Sequence, residues 1–455
     1  MNMTLENVAK ACSGRLFVTE EKKNVTVVGG VTDNRQVEEG NLFFAIRGEK
    51  TDGHKYAQAA FDAGASAVVL EYLPENYQGN YILVDSTQQA LKDIAGYYRS
   101  CLQIPVVGIA GSVGKTSTKE MVASVLSQKY KVLKTAGNFN NEIGMPLTLL
   151  RIREEHEAAV IEMGINHFGE MERLTRVALP DLFVMTNIGA CHLENLGDLD
   201  GVLKAKTEGF PLMKEKTPLI INGDDEKLYQ LRDQKHMKPL LYGIDYQEGL
   251  AYADEIQSYG EEGTEALLHL DGESKKVRIH VPGIHMVRNA LAAACVGKEL
   301  GLTIDEIAAG IEAMRTIAGR SNFLHENGKT IIDDCYNANP ASMKASLEVL
   351  SHCKGRRIAV LGDMGELGKE EKELHKEVGC FAAALDLDAV YLCGELCQEM
   401  QEPLLASGTA VFSYKEKEAL IKALLRDVKE KDTILVKASH FMGFDEVVSA
   451  LTGKG

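Results

Sequence analysis

Apolar positions along the chain fall into short runs of roughly five residues separated by amphipathic stretches, a rhythm that predicts strands alternating with helices. Up to about residue 100, runs at 25–28, 42–46 and 67–70 predict strands and 55–63 predicts a helix, which together make a small α/β domain. From Ile104 onward, runs at 105–110, 158–163, 182–185 and 218–221 each precede a helix or a loop. That order predicts a parallel sheet with right-handed crossovers. An acidic, glycine-rich, hairpin-like region over 252–280 and a helix over 286–300 close this central domain. After Gly319-Arg320 a new set of strands is expected at 330–333, 357–361, 389–392 and 433–437, which reads as a third, Rossmann-like domain. The expected architecture is α/β in three domains: a small N-terminal domain over 1–100, a central parallel-sheet domain over 101–315 and a C-terminal domain over 316–455.

Composition agrees with that division, because 455 residues are about three times a typical domain of roughly 150. With 45% apolar and 25% charged residues the chain is globular, and a net charge of -16 argues against nucleic acid or an anionic membrane as its main partner. No run approaches the roughly 18 apolar residues of a membrane span, so a cytoplasmic protein is expected. Nine cysteines are scattered singly, and Cys393 and Cys397 are spaced for neither a redox nor a zinc motif, so free thiols are expected.

The stretch Gly108-Ile-Ala-Gly-Ser-Val-Gly-Lys-Thr-Ser-Thr118 follows an apolar strand and opens a helix whose Met121, Val122, Val125 and Leu126 form one stripe. This is the setting of a phosphate-binding loop. Gly111 and Gly114 let backbone amides of Ser112, Val113 and Ser117 approach phosphate, Lys115 neutralises it, and Thr116 offers a hydroxyl to magnesium. Ile109 stands where the longer Gly-x-x-x-x-Gly-Lys form has its first glycine, so only the Gly-x-x-Gly-Lys-Thr core is present.

Ligands of an open parallel sheet sit beyond the carboxyl ends of its strands. Glu162, Thr186-Asn187 leading to His192, and Asn222-Gly-Asp-Asp225 all lie there. A carboxylate suits magnesium, which makes Glu162 the preferred protein ligand. Lone histidines after strands more often serve structure, and Lys204 and Lys206, taken by themselves, read as solvated lysines.

Four stretches together resemble the Mur ligase family: 137–148 (Gly137-Asn-Phe-Asn-Asn-Glu-Ile-Gly-Met-Pro-Leu-Thr148), Glu162-Met-Gly-Ile-Asn-His167, Thr186-Asn-Ile-Gly-Ala-Cys-His192 and Ile332-Asp-Asp-Cys-Tyr-Asn-Ala-Asn-Pro340. The last points to the branch of the family whose substrates are UDP-N-acetylmuramoyl-tripeptide and D-alanyl-D-alanine. The resemblance implies an ATP- and Mg2+-dependent amide ligase working through an acyl phosphate, and a monomer. It implies Lys115, Glu162, His192 and Lys206 as catalytic, with Thr116 and Glu162 on one magnesium and His192 with a carbamylated Lys206 on a second. It also implies Asn289 at the adenine, Arg320 and Asp334 reaching phosphates and ribose from the third domain, and Asn140, Asn141, Tyr336, Asn337 and Asn339 as substrate contacts. Thr32-Asp-Asn-Arg35, Gly40-Asn-Leu-Phe-Phe-Ala45 and Asp52-Gly-His54 resemble the family's uridine diphosphate site, with Thr32, Asn34 and Arg35 as contacts. Three departures stand out: Asn34 replaces the usual serine, and Ala438 and His440 replace glycine and arginine.

Asn339-Pro340 also reads as an N-cap and first-turn proline of a helix with Met343, Leu347 and Leu350 on one face. Two other ligand classes are weighed against this reading: a folylpolyglutamate synthetase, and a P-loop protein that binds nucleotide without catalysis. A dinucleotide site at Leu361-Gly-Asp-Met-Gly-Glu-Leu-Gly368 has the wrong glycine spacing.

Overall fold

The structure is a computed structural model that describes residues 1–48 and 51–453. Three sheets carry the architecture, and a two-stranded pairing of Met3–Thr4 with Thr26–Val27 accompanies the first. The first sheet has five strands: Gly29–Val31, Asn41–Phe44, Ala67–Leu70 and Tyr81–Leu83 run parallel, and Arg15–Phe17 pairs antiparallel at the edge. The strand expected at 25–28 is thus confined to Thr26–Val27, and Gly29–Val31, outside that range, forms the edge of the five-stranded sheet. The helix expected at 55–63 opens as a 3-10 turn, Gly53–Tyr56, before becoming α-helical at Ala57–Asp62.

The central sheet has nine strands. Val106–Ala110, third from one edge, is flanked in parallel by Ala158–Glu162 on one side and Leu182–Met185 on the other, with Pro218–Asn222 beyond Leu182–Met185. These strands are buried along their whole length apart from Pro218, as expected of a sheet covered on both faces. Two further parallel strands, Val132–Lys134 and Lys238–Gly243, escape the apolar pattern because their side chains are only half buried. The hairpin-like region is three strands, Ala251–Ser258, Thr264–Leu270 and Glu273–Ile279, joined antiparallel. Helix Ile284–Glu299 packs under the sheet with eleven buried residues, among them an unbroken run from Asn289 to Gly297.

The third sheet has six strands, parallel except for the edge strand Asn322–Glu326, with helices on both faces. One face is covered by Pro340–Ser351 and Glu371–Ala383, the other by Lys417–Asp427 and Asp445–Thr452. This is the α/β three-domain arrangement the sequence predicts.

How the cores connect differs between the domains. Apolar residues of the first sheet (Leu42, Phe44, Val69, Ile82) belong to one continuous cluster with Leu149, Leu150, Ile152 and Ile161 of the central domain. The third domain keeps two clusters of its own, one per sheet face. A guanidinium reinforces the first junction. Arg99, buried in the last turn of helix Thr87–Cys101, donates to the carbonyls of Ala178 and Leu179 at 2.9 Å each and pairs with Asp181 at 2.6 Å. It therefore satisfies the orphan carbonyls of helix Glu170–Ala178. Arg99→Leu should lower stability by roughly 2–3 kcal/mol, between the values for exposed and fully buried ion pairs, read as a shift of the urea midpoint.

Candidate functional site

A cleft of about 1090 Å³ opens where the central and third domains face each other. Its wall takes the phosphate loop, the ends of the central strands, the start of helix Ile284–Glu299 and the first turn of helix Pro340–Ser351. Among the sequence-expected residues, Ser112 to Ser117, Asn140, Asn141, Glu162, His192, Asn289, Arg320, Asp334, Tyr336, Asn337 and Asn339 all line it.

The loop is held open by its neighbours. Gly111 has φ +144, and a Cβ there would lie 2.0 Å from Thr186 Oγ1. Ser112 N–H donates to Asn187 O and Val113 N–H to Asn187 Oδ1, both at 2.9 Å, while Thr186 Oγ1 and Asn187 Nδ2 donate to Val113 O. Strand-end Thr186-Asn187 thus shapes the loop from outside, a role the sequence reading left unassigned. Lys115 Nζ folds onto its own loop, donating to the carbonyls of Gly111 and Ser112 at 2.9 and 3.1 Å. An anionic ligand would offer that ammonium better partners.

Glu162 ends its strand buried. Its Oε1 accepts from Thr116 Oγ1 at 3.2 Å and from Asn140 Nδ2 at 2.8 Å, and its Oε2 has no hydrogen-bond partner. The nearest cation is the buried Lys119 ammonium at 3.9 Å, itself bonded to Thr135 O and Glu120. A buried, unbonded carboxylate oxygen beside a threonine hydroxyl fits a hard cation. Among the described residues no three His, Cys, Asp or Glu side chains converge on one point. The set therefore fits an ion that takes its remaining oxygens from phosphate and water, as magnesium does.

His192 follows in a left-handed conformation, φ +53, with Nδ1 2.5 Å from Glu366 Oε2 of the third domain. Burial lowers its pKa, opposed by the Glu366 carboxylate and reinforced by the Lys115 and Lys206 cations. Lys206, on helix Leu199–Thr207, is 1% exposed, and its ammonium makes no ion pair among the described residues. The solvated-lysine reading therefore fails for Lys206. Burial pushes its pKa down to about 8. It does not line the cleft but lies near enough to Lys115 for the two charges to repel.

In the third domain the adjacent acids at the strand end act on a loop. Asp333 Oδ2 accepts from Gly319 N–H at 2.8 Å and Asp334 Oδ1 from Ser321 N–H at 2.9 Å, which brackets Arg320. Arg320 then stacks on Tyr336, its guanidinium carbon 4.1 Å from the ring centroid. Asp334 Oδ2 is taken by Lys437 and Ser346, both at 2.5 Å. Every carboxylate oxygen of Asp334 is therefore engaged inside its own domain. Asn339 caps helix Pro340–Ser351 in a reciprocal capping box with Ser342, as the sequence indicated. Asn141 is likewise occupied, accepting from the N–H groups of Ile143 and Gly144.

Thr32, Asn34 and Arg35 sit at the end of strand Gly29–Val31 and do not reach the cleft. Arg35 is paired with Asp33 at 2.7 Å. His54 is buried with both ring nitrogens bonded, Nδ1 to Asp52 at 2.7 Å and Nε2 to Glu71 N–H at 2.8 Å, so it holds the loop rather than facing a ligand. Asp224 and Asp225 are structural too: Asp224 accepts from the amides of 244–246 and pairs with Arg288, and Asp225 caps a short helix. His285, missed at the sequence level, lines the cleft with an unbonded Nδ1, and burial lowers its pKa to about 4.

Comparison with known proteins adds three family matches: the Mur ligase family catalytic domain over 24–99, the Mur ligase middle domain over 109–297 and the Mur ligase glutamate ligase domain over 319–440. A Bacillus subtilis UDP-N-acetylmuramoyl-tripeptide--D-alanyl-D-alanine ligase is 37% identical over 98% of both chains. The crystal structure of MurF from Acinetobacter baumannii superposes with TM-score 0.91 at 29% identity, covering 100% of this chain and 99% of that one. MurF ligase from Thermotoga maritima in complex with ADP gives 0.82 at 29%, covering 94% and 97%.

Two outcomes follow from the geometry. Gly111→Ala should cut Mg2+-ATP affinity at least tenfold in calorimetric titration, because the methyl group meets Thr186 Oγ1. An unfolded Lys206 titrates near 10.5 and the folded one near 8, so the folded state is penalised below pH 8 and the penalty fades as pH rises to 10.5. In buffer free of carbon dioxide, Lys206→Met should therefore stabilise the ligand-free protein at pH 7 by up to about 3 kcal/mol. Melting curves taken from pH 7 to 10.5 should show that advantage vanish.

Proposed function

The chain belongs to the Mur ligase family, and from that premise we propose that it is the ATP-dependent ligase that joins D-alanyl-D-alanine to UDP-N-acetylmuramoyl-tripeptide, giving the pentapeptide precursor of peptidoglycan. The observation that carries this reading is end-to-end similarity to relatives of that one activity, combined with a cleft that gathers a phosphate loop and third-domain side chains. The folylpolyglutamate and non-catalytic readings are not favoured, since neither accounts for that full-length match.

ATP lies with its phosphates at the start of helix Lys115–Leu126, beside Ser112 and Val113, whose own amides are held by Asn187, and with its adenine toward Asn289. The terminal carboxylate of the tripeptide attacks the γ-phosphorus, the bond to the β-γ bridging oxygen breaks, and an acyl phosphate and ADP form. Lys115 leaves its own loop carbonyls for the phosphate oxygens, and Arg320, held by Asp333 and Asp334, meets them from the other side. Magnesium supplies neutralisation of the phosphoryl charge. Thr116 and Glu162 would hold one ion, and His192 with Lys206 as its carbamate would hold the second. A lysine buried without a counter-ion and titrating near 8 supplies the neutral amine that carbamate formation needs. The dipeptide amine, near Tyr336, Asn337 and Asn339, then attacks the acyl carbon and phosphate leaves. A closed cleft keeps water from the acyl phosphate in between.

Thr32, Asn34 and Arg35 take the uridine diphosphate end, which explains why they stand apart from the phosphate loop. A cytoplasmic setting fits nine free cysteines, and among the described residues no helix is long and apolar enough to cross a membrane.

Phosphate release should require UDP-muramoyl-tripeptide and D-alanyl-D-alanine together, with a product of their summed mass less one water. Release with neither, or with a folate and glutamate instead, overturns the substrate assignment.

A further inference from the structure

Nothing in the reaction as described uses Glu366, although it comes from the third domain and ends 2.5 Å from His192 of the central one. Its presentation is built rather than incidental. The loop after strand Arg357–Gly362 is pinned at successive residues. Asp363 accepts from the amides of Glu395 and Cys397, Met364 N–H donates to His375 Nε2 at 2.9 Å, Gly365 N–H donates to Ser439 Oγ at 2.8 Å, and Leu367 is 1% exposed. Glu366 itself sits in the left-handed region, φ +62, as does His192. Glu194 N–H closes the contact on Glu366 O at 3.3 Å.

The pairing fixes one ring nitrogen and leaves the other free. Nδ1 carries the proton toward the carboxylate, and Nε2 has no hydrogen-bond partner among the described residues. A carboxylate bonded to the remote nitrogen of a metal-ligating histidine sets its tautomer and orientation and raises its donor strength. Here that carboxylate arrives from a different domain.

We propose that Glu366 is a positioning residue for His192: domain closure delivers its carboxylate to Nδ1, which turns Nε2 into a competent ligand and ties the second metal site to the closed state. This rests on the two-metal reading proposed above.

The test is Mn2+ binding to the full-length protein with β,γ-methylene ATP, followed by electron paramagnetic resonance, in wild type, Glu366→Ala and Glu366→Gln. The wild type should bind two ions. Glu366→Ala should weaken one of them 10- to 100-fold and leave the other within about twofold, with Glu366→Gln in between because it keeps an acceptor oxygen. With β,γ-methylene ATP bound but no metal, ring 15N shifts should place the His192 proton on Nδ1 in wild type and divide it between both nitrogens in Glu366→Ala. Two Mn2+ sites unchanged in the variants, both weakened equally, or ring shifts that ignore the substitution would each overturn the proposal. A wild type that binds a single Mn2+ would instead overturn the two-metal reading itself, so the two failures are told apart.

Discussion

The carboxylate of Glu162 constrains the centre of this molecule. One of its oxygens is bonded to Thr116 and Asn140, and the other is buried without a hydrogen bond, with the Lys119 ammonium 3.9 Å away. Leaving such a group partly uncompensated costs stability, of the order of 1–3 kcal/mol or more for a charged atom. The fold tolerates it because Glu162 stands at the end of a fully buried strand, locked through its amide to Thr135, with a hydrogen-bonded parallel strand on either side. Around that point the phosphate loop, strand end Thr186-Asn187 and the loop carrying Asn140 are tied to one another. The site is therefore assembled before any ligand arrives, at the expense of the protein's own stability.

Much of this was legible in the sequence because it rests on local rules. A run of apolar residues ending in Gly-Ser-Val-Gly-Lys-Thr encodes both the strand and the loop, and Asn339-Pro340 encodes its cap within four residues. Strands with half-buried faces, such as Val132–Lys134 and Lys238–Gly243, were invisible, because their burial depends on what lies across the sheet rather than on their own pattern. The same holds for acidic residues at strand ends. Asp224 and Asp225 look like metal ligands in one dimension, yet they spend their oxygens on backbone amides.

Contacts between distant parts of the chain were the least accessible. That Glu366 meets His192 across 174 positions follows only from how the third domain is set against the second, and that Asp333 and Asp334 bracket Arg320 only from how the third domain folds on itself. The family resemblance supplied candidates such as Asn34 and Lys206 with no physical reason visible in the residues themselves. For Lys206 the reason is now apparent: it is buried without a counter-ion, which no composition or periodicity reveals.

The first and central domains share one apolar cluster, reinforced by Arg99, whereas the third domain has cores of its own. The span from Thr32 and Arg35 to the phosphate loop is consequently crossed by packed hydrocarbon, and under the proposed function it would serve as a gauge. A substrate anchored by its nucleotide at one end of that gauge presents its other end at a fixed reach, and a peptide one residue too short or too long would put its carboxylate out of line with the γ-phosphate. Selection of chain length would then be a matter of measurement, made by the covalent length of the substrate against a distance set in hydrocarbon packing.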